Sequence, residues 1–340
     1  LEECKMGQVK DILGRPIRDL RVSVTDRCNF RCKYCMPAEI FGPQYAFLPK
    51  SEILTFEEIT RLAKIFSFLG TVKLRITGGE PLLRQDLPLL VKMLCDLGSY
   101  EDIALTTNGY LLSKYARELF DSGLKRITVS LDSLKETTFK YMNGGVASVQ
   151  GVSKGIEAAI SVGLQIKINV VIQKGVNEDQ IIPIAEYGNK LGINTRFIEF
   201  MDVGNQNQWM KEKVFSARDI LKVLQSKFSL EPIVSSYRGE VAQRYKEKGS
   251  SWEIGLISSI TKPFCRDCGR ARVSADGHVF TCLFGTNGFD IMSHMRKGID
   301  DDYLMGLISK IWTLRKDKYS EDRSLLRGTT DKVEMHHIGG

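Results

Sequence analysis

Apolar and polar residues alternate in a recurring order along the first 200 residues, and this order predicts strands separated by helices. The predicted strands cover residues 20–24, 72–77, 102–107, 126–131, 165–172 and 195–200. Helical spacing of apolar residues occurs at 55–69, 86–97, 113–122, 135–142, 149–162 and 178–190. Units repeating at roughly 25–35 residues favour a parallel sheet with helices outside it. Six units are too few for the eightfold barrel, so we predict an α/β fold with a partial, TIM-like (β/α)6 barrel.

Polar side chains occur where the interior of a parallel barrel normally carries Val, Ile and Leu. The two-residue period of a strand places Lys73, Arg75 and Thr77 on one face of the second strand. The same period selects Thr128 and Ser130, Lys167 and Asn169, and Arg196 on later strands. Buried unpaired cations are costly, so this face predicts a phosphate-bearing ligand inside the barrel. The alternative is that these strands carry their charges at a solvated edge.

The regular repeat ends near residue 202. Beyond it the pattern predicts amphipathic helices at 217–228 and 301–315, with a polar, basic stretch at 237–248. We therefore expect three parts, which are an N-terminal arm at 1–19, the partial barrel at 20–202 and a C-terminal domain at 203–340.

Composition narrows the class of protein only slightly. Of the 340 residues, 43% are hydrophobic and 26% are charged, as in an ordinary globular protein. There is no apolar run of about 18 residues and no secretory signal, so we expect a cytoplasmic protein without a membrane partner. The net charge of +7 suits a polyanionic ligand or a nucleic acid, although a solvated basic surface would also explain it.

Three cysteines lie close together immediately after the first predicted strand. Cys28, Cys32 and Cys35 form a Cys-x3-Cys-x2-Cys run, with Tyr34 before the last thiol. Three thiolates can hold a four-iron cluster and leave its fourth iron open for a ligand. Zinc sites usually have four ligands in two separated pairs, and an odd trio in a reducing compartment has no natural disulfide pairing. The pattern therefore favours an iron–sulfur cluster.

A second trio lies near the other end of the chain. Two residues separate Cys265 from Cys268, and thirteen separate Cys268 from Cys282. His278 could complete a Cys3His zinc site with them. Against zinc, residues 276–278 have the composition of a turn between two strands, where a histidine is usually solvated. Spacing alone leaves iron–sulfur and zinc equally favoured.

The first trio resembles the signature of the radical S-adenosylmethionine (SAM) superfamily. With the second trio, the polar strands, Arg270-Ala271-Arg272 and the terminal Gly339-Gly340, the chain from about Leu13 onward is similar to the GTP 3′,8-cyclases, the family of molybdenum cofactor biosynthesis protein A. This resemblance implies a radical SAM barrel with a C-terminal extension carrying a second cluster. It also implies cyclisation of GTP to (8S)-3′,8-cyclo-7,8-dihydroguanosine 5′-triphosphate.

The resemblance also assigns roles to residues. Two [4Fe–4S] clusters would be held by Cys28, Cys32 and Cys35 and by Cys265, Cys268 and Cys282. SAM would contact Tyr34, Gly79, Ser130 and Met201. GTP would contact Arg21, Arg75, Thr106, Lys167, Arg270, Ala271 and Arg272. Arg270, Arg272, Gly339 and Gly340 would form the catalytic set.

The implied partners are GTP, a reductase or a flavodoxin- or ferredoxin-type electron donor, and the next enzyme of the molybdopterin pathway, with a homodimer as one expectation. Two alternatives stay open. One is a twin-cluster radical SAM enzyme acting on a peptide, which would not need so many inward cations. The other is a nucleic-acid-binding protein with a zinc knuckle, although aromatics are not concentrated in the basic segments.

Overall fold

A computed structural model describes residues 8–326 and 331–339 of the chain. Its first part follows the predicted repeat of strands and helices. The strands are β1 (Asp19–Ser23), β2 (Lys73–Thr77), β3 (Asp102–Thr107), β4 (Arg126–Ser130), β5 (Gln165–Ile172) and β6 (Asn194–Glu199). The helices are α1 (Phe56–Phe68), α2 (Leu87–Asp96), α3 (Leu112–Asp121), α4 (Glu136–Asn143), α5 (Val149–Ser161) and α6 (Ile181–Lys190). Each predicted element is present, with ends that differ by a few residues.

Local sequence explains these helices. Thr55 and Glu58 form a reciprocal capping box at the start of α1, which satisfies amides that have no partner within the helix. The buried residues Ile59, Leu62 and Phe66 of α1 recur at three and four residues, so one stripe of the helix faces the sheet. The helices therefore cover the outside of the sheet and leave its inner face open.

The remaining strands extend the same sheet rather than forming a separate one. They are β7 (Leu230–Ile233), β8 (Gln243–Glu247), β9 (Glu253–Ile257), β10 (Arg270–Val273), β11 (His278–Phe280) and β12 (Phe289–Asp290). The order across the described sheet is β12-β11-β10-β1-β2-β3-β4-β5-β6-β9-β8-β7. Both β10 and β9 pair in parallel, with β1 and β6 respectively. Eight neighbouring parallel strands result, flanked by antiparallel hairpins.

The helices of this half are α7 (Ala217–Gln225), α8 (Met292–Arg296), α9 (Asp301–Thr313), α10 (Tyr319–Leu326) and α11 (Met335–Ile338). Helices α7 and α9 match the predicted ones. The partition into a barrel and a C-terminal domain stays a prediction, but hydrogen bonding continues across residue 203 at both edges of the barrel. None of the described helices combines the length and apolar character needed to cross a membrane.

The described part of the N-terminal arm is fixed against the rest of the protein. Asp11 and Arg15 are buried and form an ion pair of 2.6 Å. The guanidinium of Arg15 also donates to the carbonyl oxygens of Cys265 (2.8 Å) and Asp317 (2.7 Å). This segment therefore supports the second cysteine trio. Cys4 lies outside the described residues.

Candidate active site

One cavity of about 650 Å³ lies on the inner face of the eight parallel strands. All six cysteines of the two trios line it. So do Tyr34, Gly79, Ser130 and Met201, and so do Arg21, Arg75, Thr106, Lys167, Arg270 and Arg272. The predicted residues thus meet in one place, although they come from separate parts of the chain. Two predicted residues do not line the cavity: the side chain of Ala271 is fully buried in the hydrophobic core, and Gly339 is in contact with Arg272, which does line it.

The first cysteine loop follows β1 and is held by backbone contacts. The amides of Cys35 and Met36 both donate to the Cys32 carbonyl, at 2.9 and 2.8 Å. Gly79 donates to the carbonyl of Thr25 at 2.7 Å, and a Cβ at Gly79 would lie 2.3 Å from the Arg27 carbonyl oxygen. Glycine is therefore required here because the turn after β2 packs against the cysteine loop. This packing brings Gly79 to the edge of the same cavity.

Two buried carboxylates surround the first trio. Glu80 accepts from the Thr107 hydroxyl (2.7 Å) and from the Asn108 amide (2.7 Å), and burial raises its pKa to about 7. Asp132 accepts from the Tyr34 hydroxyl at 2.6 Å, and burial raises its pKa to about 6. Burial, with the nearby charge of Glu80, raises the pKa of Cys28 to about 12. This end of the cavity therefore favours a positively charged ligand or metal group.

The middle of the cavity is cationic. Arg21, Arg75, Lys167 and Arg196 all point into it from parallel strands, and no carboxylate of the described chain lies within salt-bridge distance of any of them. Burial, together with Arg126 and Arg196, lowers the pKa of Arg75 to about 10. Burial, with the same two arginines, lowers the pKa of Lys167 to about 8. The predicted inward cations are thus present, and the alternative of a solvated edge is wrong for these strands.

The second trio lies at the β10–β11 hairpin. Cys265 and Cys268 precede β10, and Cys282 follows β11. The Arg270 guanidinium donates to the Cys268 sulfur from Nε and Nη2, both at 3.3 Å. Burial opposes ionisation of Cys268, but Arg270 and Arg315 lower its pKa to about 6 overall. A thiolate is the form that binds metal, so this donor set fits a cluster.

The fourth zinc ligand considered for this trio is placed elsewhere. His278 lies on β11, and its Nδ1 is 3.1 Å from Oδ2 of Asp276, outside the cavity lining. Within residues 8–326 and 331–339, no three His, Cys, Asp or Glu side chains lie close enough to hold one ion. A cluster binds each thiolate to a different iron and tolerates wider spacing than zinc does. His278 is therefore not positioned as a fourth ligand of this trio.

The C-terminal tail closes one side of the site. Arg272 donates to the carbonyl of Gly339, and a Cβ at Gly339 would lie 2.2 Å from the Thr77 hydroxyl oxygen. His336 is buried against the ring of Phe41, with ring centroids 4.7 Å apart. Paired histidines near a terminus are usually solvated, so this burial could not be predicted from the sequence. Gly340 lies outside the described residues.

Several cavity residues were missed by the sequence reasoning. Asp132 follows Ser130 by two residues at the end of β4, so the strand-end rule that selected Ser130 would have found it. Arg126 begins the same strand and pairs with Asp102 at 2.5 Å. Arg315 has no local signal, because it reaches the cavity from the end of α9. Its guanidinium donates to the Cys268 carbonyl at 2.6 Å.

An open parallel barrel with this cysteine loop after its first strand defines a radical SAM enzyme. The family described as "Radical SAM superfamily" matches residues 22–188, and "Molybdenum Cofactor Synthesis C" matches residues 193–321. Among solved structures, SuiB from Streptococcus suis bound to S-adenosylmethionine is similar in fold. Its TM-score is 0.61 at 17% identity, covering 87% of this chain and 68% of SuiB.

Curated relatives narrow the family further. The GTP 3′,8-cyclase of Staphylococcus haemolyticus (strain JCSC1435) is 49% identical over 98% of this chain and 100% of its own. That of Staphylococcus aureus (strain Mu3) is 48% identical over 98% of this chain and 99% of its own. The chain belongs to the GTP 3′,8-cyclase family.

Proposed function

We propose that this protein converts GTP to (8S)-3′,8-cyclo-7,8-dihydroguanosine 5′-triphosphate, the first step of molybdenum cofactor biosynthesis. The relatives named above support this activity. The observation that carries it is a single cavity lined by both cysteine trios and by cations from several strands. Such a cavity can hold a polyanionic nucleotide between two metal groups.

At the first end, Cys28, Cys32 and Cys35 would hold a [4Fe–4S] cluster. When bound, this cluster and SAM supply a 5′-deoxyadenosyl radical, which takes a hydrogen atom from the substrate. The protein must place SAM and keep out water. Tyr34, Gly79, Ser130 and Met201 line this end, and Tyr34 is oriented by its hydrogen bond to Asp132. The carboxylates here suit the positive sulfonium of SAM.

At the second end, Cys265, Cys268 and Cys282 would hold another [4Fe–4S] cluster with an iron left open for the guanine base. The donor chemistry supports this assignment, because Arg270 stabilises the thiolate of Cys268. Arg315 and Arg15 hold the backbone carbonyls of Cys268 and Cys265. A fixed backbone keeps the ligand sulfurs in place when the base binds.

Between the ends, the triphosphate would be bound by the cations that have no carboxylate partner. Arg21 and Arg75 lie side by side on the neighbouring strands β1 and β2, and Lys167 lies on β5, so all three charges line the same cavity. Burial of these cations is costly without an anion, and the ligand would relieve that cost. Thr106 accepts from Arg75 at 3.4 Å and orients it. Arg270 and Arg272 would contact the nucleotide from β10, where Ala271 can offer only its backbone.

The tail would complete the site. Gly339 contacts both Thr77 and Arg272. The tail would therefore exclude solvent next to the protein's cations that bind GTP. A carbon radical reacts with many groups, and the reacting atoms must therefore be held in near contact in a dry site. We include Gly340 in this catalytic set on the strength of the family resemblance.

Other partners follow from this chemistry. The first cluster must be reduced, which calls for a reductase or a flavodoxin- or ferredoxin-type donor. The cyclised nucleotide would pass to the next enzyme of the molybdopterin pathway. We also propose a cytoplasmic location and a homodimer, which size measurements in solution would test.

The deciding experiment is anaerobic. Protein with reconstituted clusters is first analysed for iron, sulfide and its visible spectrum, and two clusters per chain are expected. It is then incubated with SAM, a reductant and GTP, with ATP as the matched control. The expected result is the cyclised guanosine nucleotide and no product from ATP. One cluster per chain, zinc at the second trio, or no affinity for GTP would overturn the proposal.

A further inference from the structure

A carboxylate outside the cavity joins the C-terminal tail to the hairpin that carries the second trio. Asp276 lies in the turn between β10 and β11. Its Oδ1 is 3.2 Å from Nε2 of His337, and its Oδ2 is 3.1 Å from Nδ1 of His278. The side chain of Asp276 is 19% exposed and that of His337 is 24% exposed. The contact is thus partly shielded from water, which strengthens it relative to a surface ion pair.

The contact between Asp276 and His337 lies close in sequence to the contact between Arg272 and Gly339. Asp276 is four residues after Arg272, and His337 is two residues before Gly339. Because Arg272 also donates to the Gly339 carbonyl, the hairpin and the tail are joined at two points. Two contacts fix both the position and the direction of the last residues, whereas one contact would leave them free to pivot.

The tail needs such support. Helix α11 has only four residues, and a single helical turn is unstable without tertiary contacts. Upstream contacts hold the start of the tail, since Glu334 accepts from the Asn205 amide at 2.9 Å and His336 packs on Phe41. After residue 336, the polar side-chain contacts that the structure shows for the tail are those with Asp276 and Arg272.

The charge state of Asp276 suits this role. Burial raises its pKa, but hydrogen bonds with His278, His337 and Ser274 hold the pKa well below the ordinary range of an aspartate. The carboxylate is therefore ionised under all working conditions. Asp290, a further titratable group beside the hairpin, acts on His278, and His336 and Glu334 lie near His337.

We propose that Asp276 is a positioning residue that holds His337 and thereby fixes Gly339 against Arg272 at the cavity wall. This inference rests on the proposed function for its catalytic consequence, but the clasp itself can be measured without turnover. Asp276 does not line the cavity, so its effect on the site must pass through the tail.

The test is a double-mutant cycle on the cluster-loaded full chain. Asp276→Asn and His337→Leu are made singly and together, and amide hydrogen exchange of residues 331–339 is measured without substrate. Each single variant should speed exchange of the tail by roughly fivefold. The double variant should be no faster than either single one, because both remove the same contact. His337→Gln, which can still donate to Asp276, should exchange slowly.

Asp290→Asn is the matched control, since it removes a neighbouring carboxylate that does not contact the tail. Turnover is then compared as cyclised product formed per SAM cleaved, which should fall several-fold in Asp276→Asn and stay unchanged in Asp290→Asn. A merely structural role in the hairpin turn, acting through His278, predicts that Asp276→Asn keeps its full effect in the His337→Leu background.

That result, unchanged tail exchange in Asp276→Asn, or faster exchange with an unchanged product ratio would each overturn the proposal. Failure of the unmodified protein to cyclise GTP would instead count against the proposed function, and the exchange measurements would still decide whether the clasp exists.

Discussion

The two cysteine trios face the same cavity, but one thiol of each lies in an opposite electrostatic setting. At the first trio, burial and the charge of Glu80 raise the pKa of Cys28 to about 12. At the second, Arg270 and Arg315 outweigh burial and lower the pKa of Cys268 to about 6, whereas burial and Asp317 raise the pKa of Cys282 to about 11. Cys28 therefore lies beside a carboxylate and Cys268 beside two arginines. The two ends of the cavity thus differ in charge, which suits a cationic cofactor at the first end and an anionic substrate at the second.

The two ends also differ in construction. The first trio lies on one continuous loop of eight residues after β1. The second is divided between the segment before β10 and the segment after β11, and it depends on Arg15 and Arg315 from distant parts of the chain. We therefore expect the first cluster to depend mainly on its own loop and the second on the integrity of the whole fold.

Replacement of one cysteine at each end gives the largest expected effect. Cys32→Ser should abolish both SAM cleavage and cyclisation, because the metal that binds SAM loses a ligand. Cys265→Ser should spare SAM cleavage and abolish cyclisation, because only the substrate end is damaged. Both activities are measured as deoxyadenosine and cyclised nucleotide in one anaerobic assay. Cyclised product from Cys265→Ser would mean that the second site is only structural.

Replacing one cation in the middle of the cavity should stabilise the unliganded protein and weaken its binding of GTP. Arg75 is partly buried in the cavity among other cations and is bonded only weakly to two threonine hydroxyls, at 3.4 and 3.5 Å. Arg75→Met should weaken GTP binding by roughly 30- to 100-fold, the usual cost of removing one partner of a buried charge pair. In the absence of GTP it should raise the melting temperature, because an unpaired buried cation is removed.

Arg126→Met is the matched control for this experiment. Arg126 is paired with Asp102 at 2.5 Å, so its loss leaves a carboxylate without its partner and should lower the melting temperature. If Arg75→Met destabilises the unliganded protein as much as Arg126→Met does, then the charge of Arg75 does not cost stability in the absence of an anion. Isothermal titration calorimetry and differential scanning calorimetry supply the two measurements.

The same comparison shows what sequence can predict. The first trio, the inward cations and six of the eight parallel strands depend on local order, so spacing and period were sufficient to find them. Strands β7 and β8 were missed because they are short strands at the end of the sheet, with exposed polar residues such as Glu231 and Lys246, and carry no apolar alternation. Strands β9 and β10 were missed as barrel strands because their parallel pairing joins distant segments.

Contacts between residues far apart in the chain could not be predicted from the sequence either. Arg15 contacts Cys265 across 250 residues of chain, Arg315 contacts Cys268 across 47, and the burial of His336 depends on Phe41. No local pattern marks such residues, because a buried arginine and an exposed one look alike in sequence. The resemblance to the family supplied the roles of the second trio, which spacing alone had left divided between iron and zinc.

The support of the second end should be measurable as stability. Arg315→Met removes the donor to the Cys268 carbonyl and the 3.4 Å contact with Asp11. Loss of a buried charged hydrogen-bond partner should lower the free energy of unfolding by about 2 kcal/mol. Iron content should fall from two clusters towards one, with the SAM-binding cluster retained.

Arg61→Met is a suitable control, because Arg61 pairs at the surface with Asp301, which is 51% exposed, and surface pairs contribute little. It should keep both clusters. Equal loss of iron in Arg315→Met and Arg61→Met, or loss of the first cluster in Arg315→Met, would contradict the view that this arginine serves the second end.

The smallest predicted effect concerns the tail beside the first end. Burial, with the charges of His337 and Arg31, lowers the pKa of His336 to about 3, whereas an unfolded histidine has a pKa of about 6.5. The docked tail therefore binds fewer protons than the open tail between these two values. The docked tail is therefore most stable above about pH 6.5, and this stability is lost as the pH falls from about 6.5 towards 3.

Hydrogen exchange of residues 331–339 provides the measurement, with His336→Phe compared with the unmodified chain at the same pH. Phenylalanine keeps the ring contact with Phe41 but cannot take up a proton, so the variant should lack the pH-dependent opening. Between pH 6.5 and 5.5 the opening of the unmodified tail should increase about fivefold relative to the variant, because the histidine of the open tail goes from half protonated to almost fully protonated. A constant ratio across that range would show that His336 stays in place regardless of its charge, and the tail would then be held chiefly by its contacts with Asp276 and Arg272.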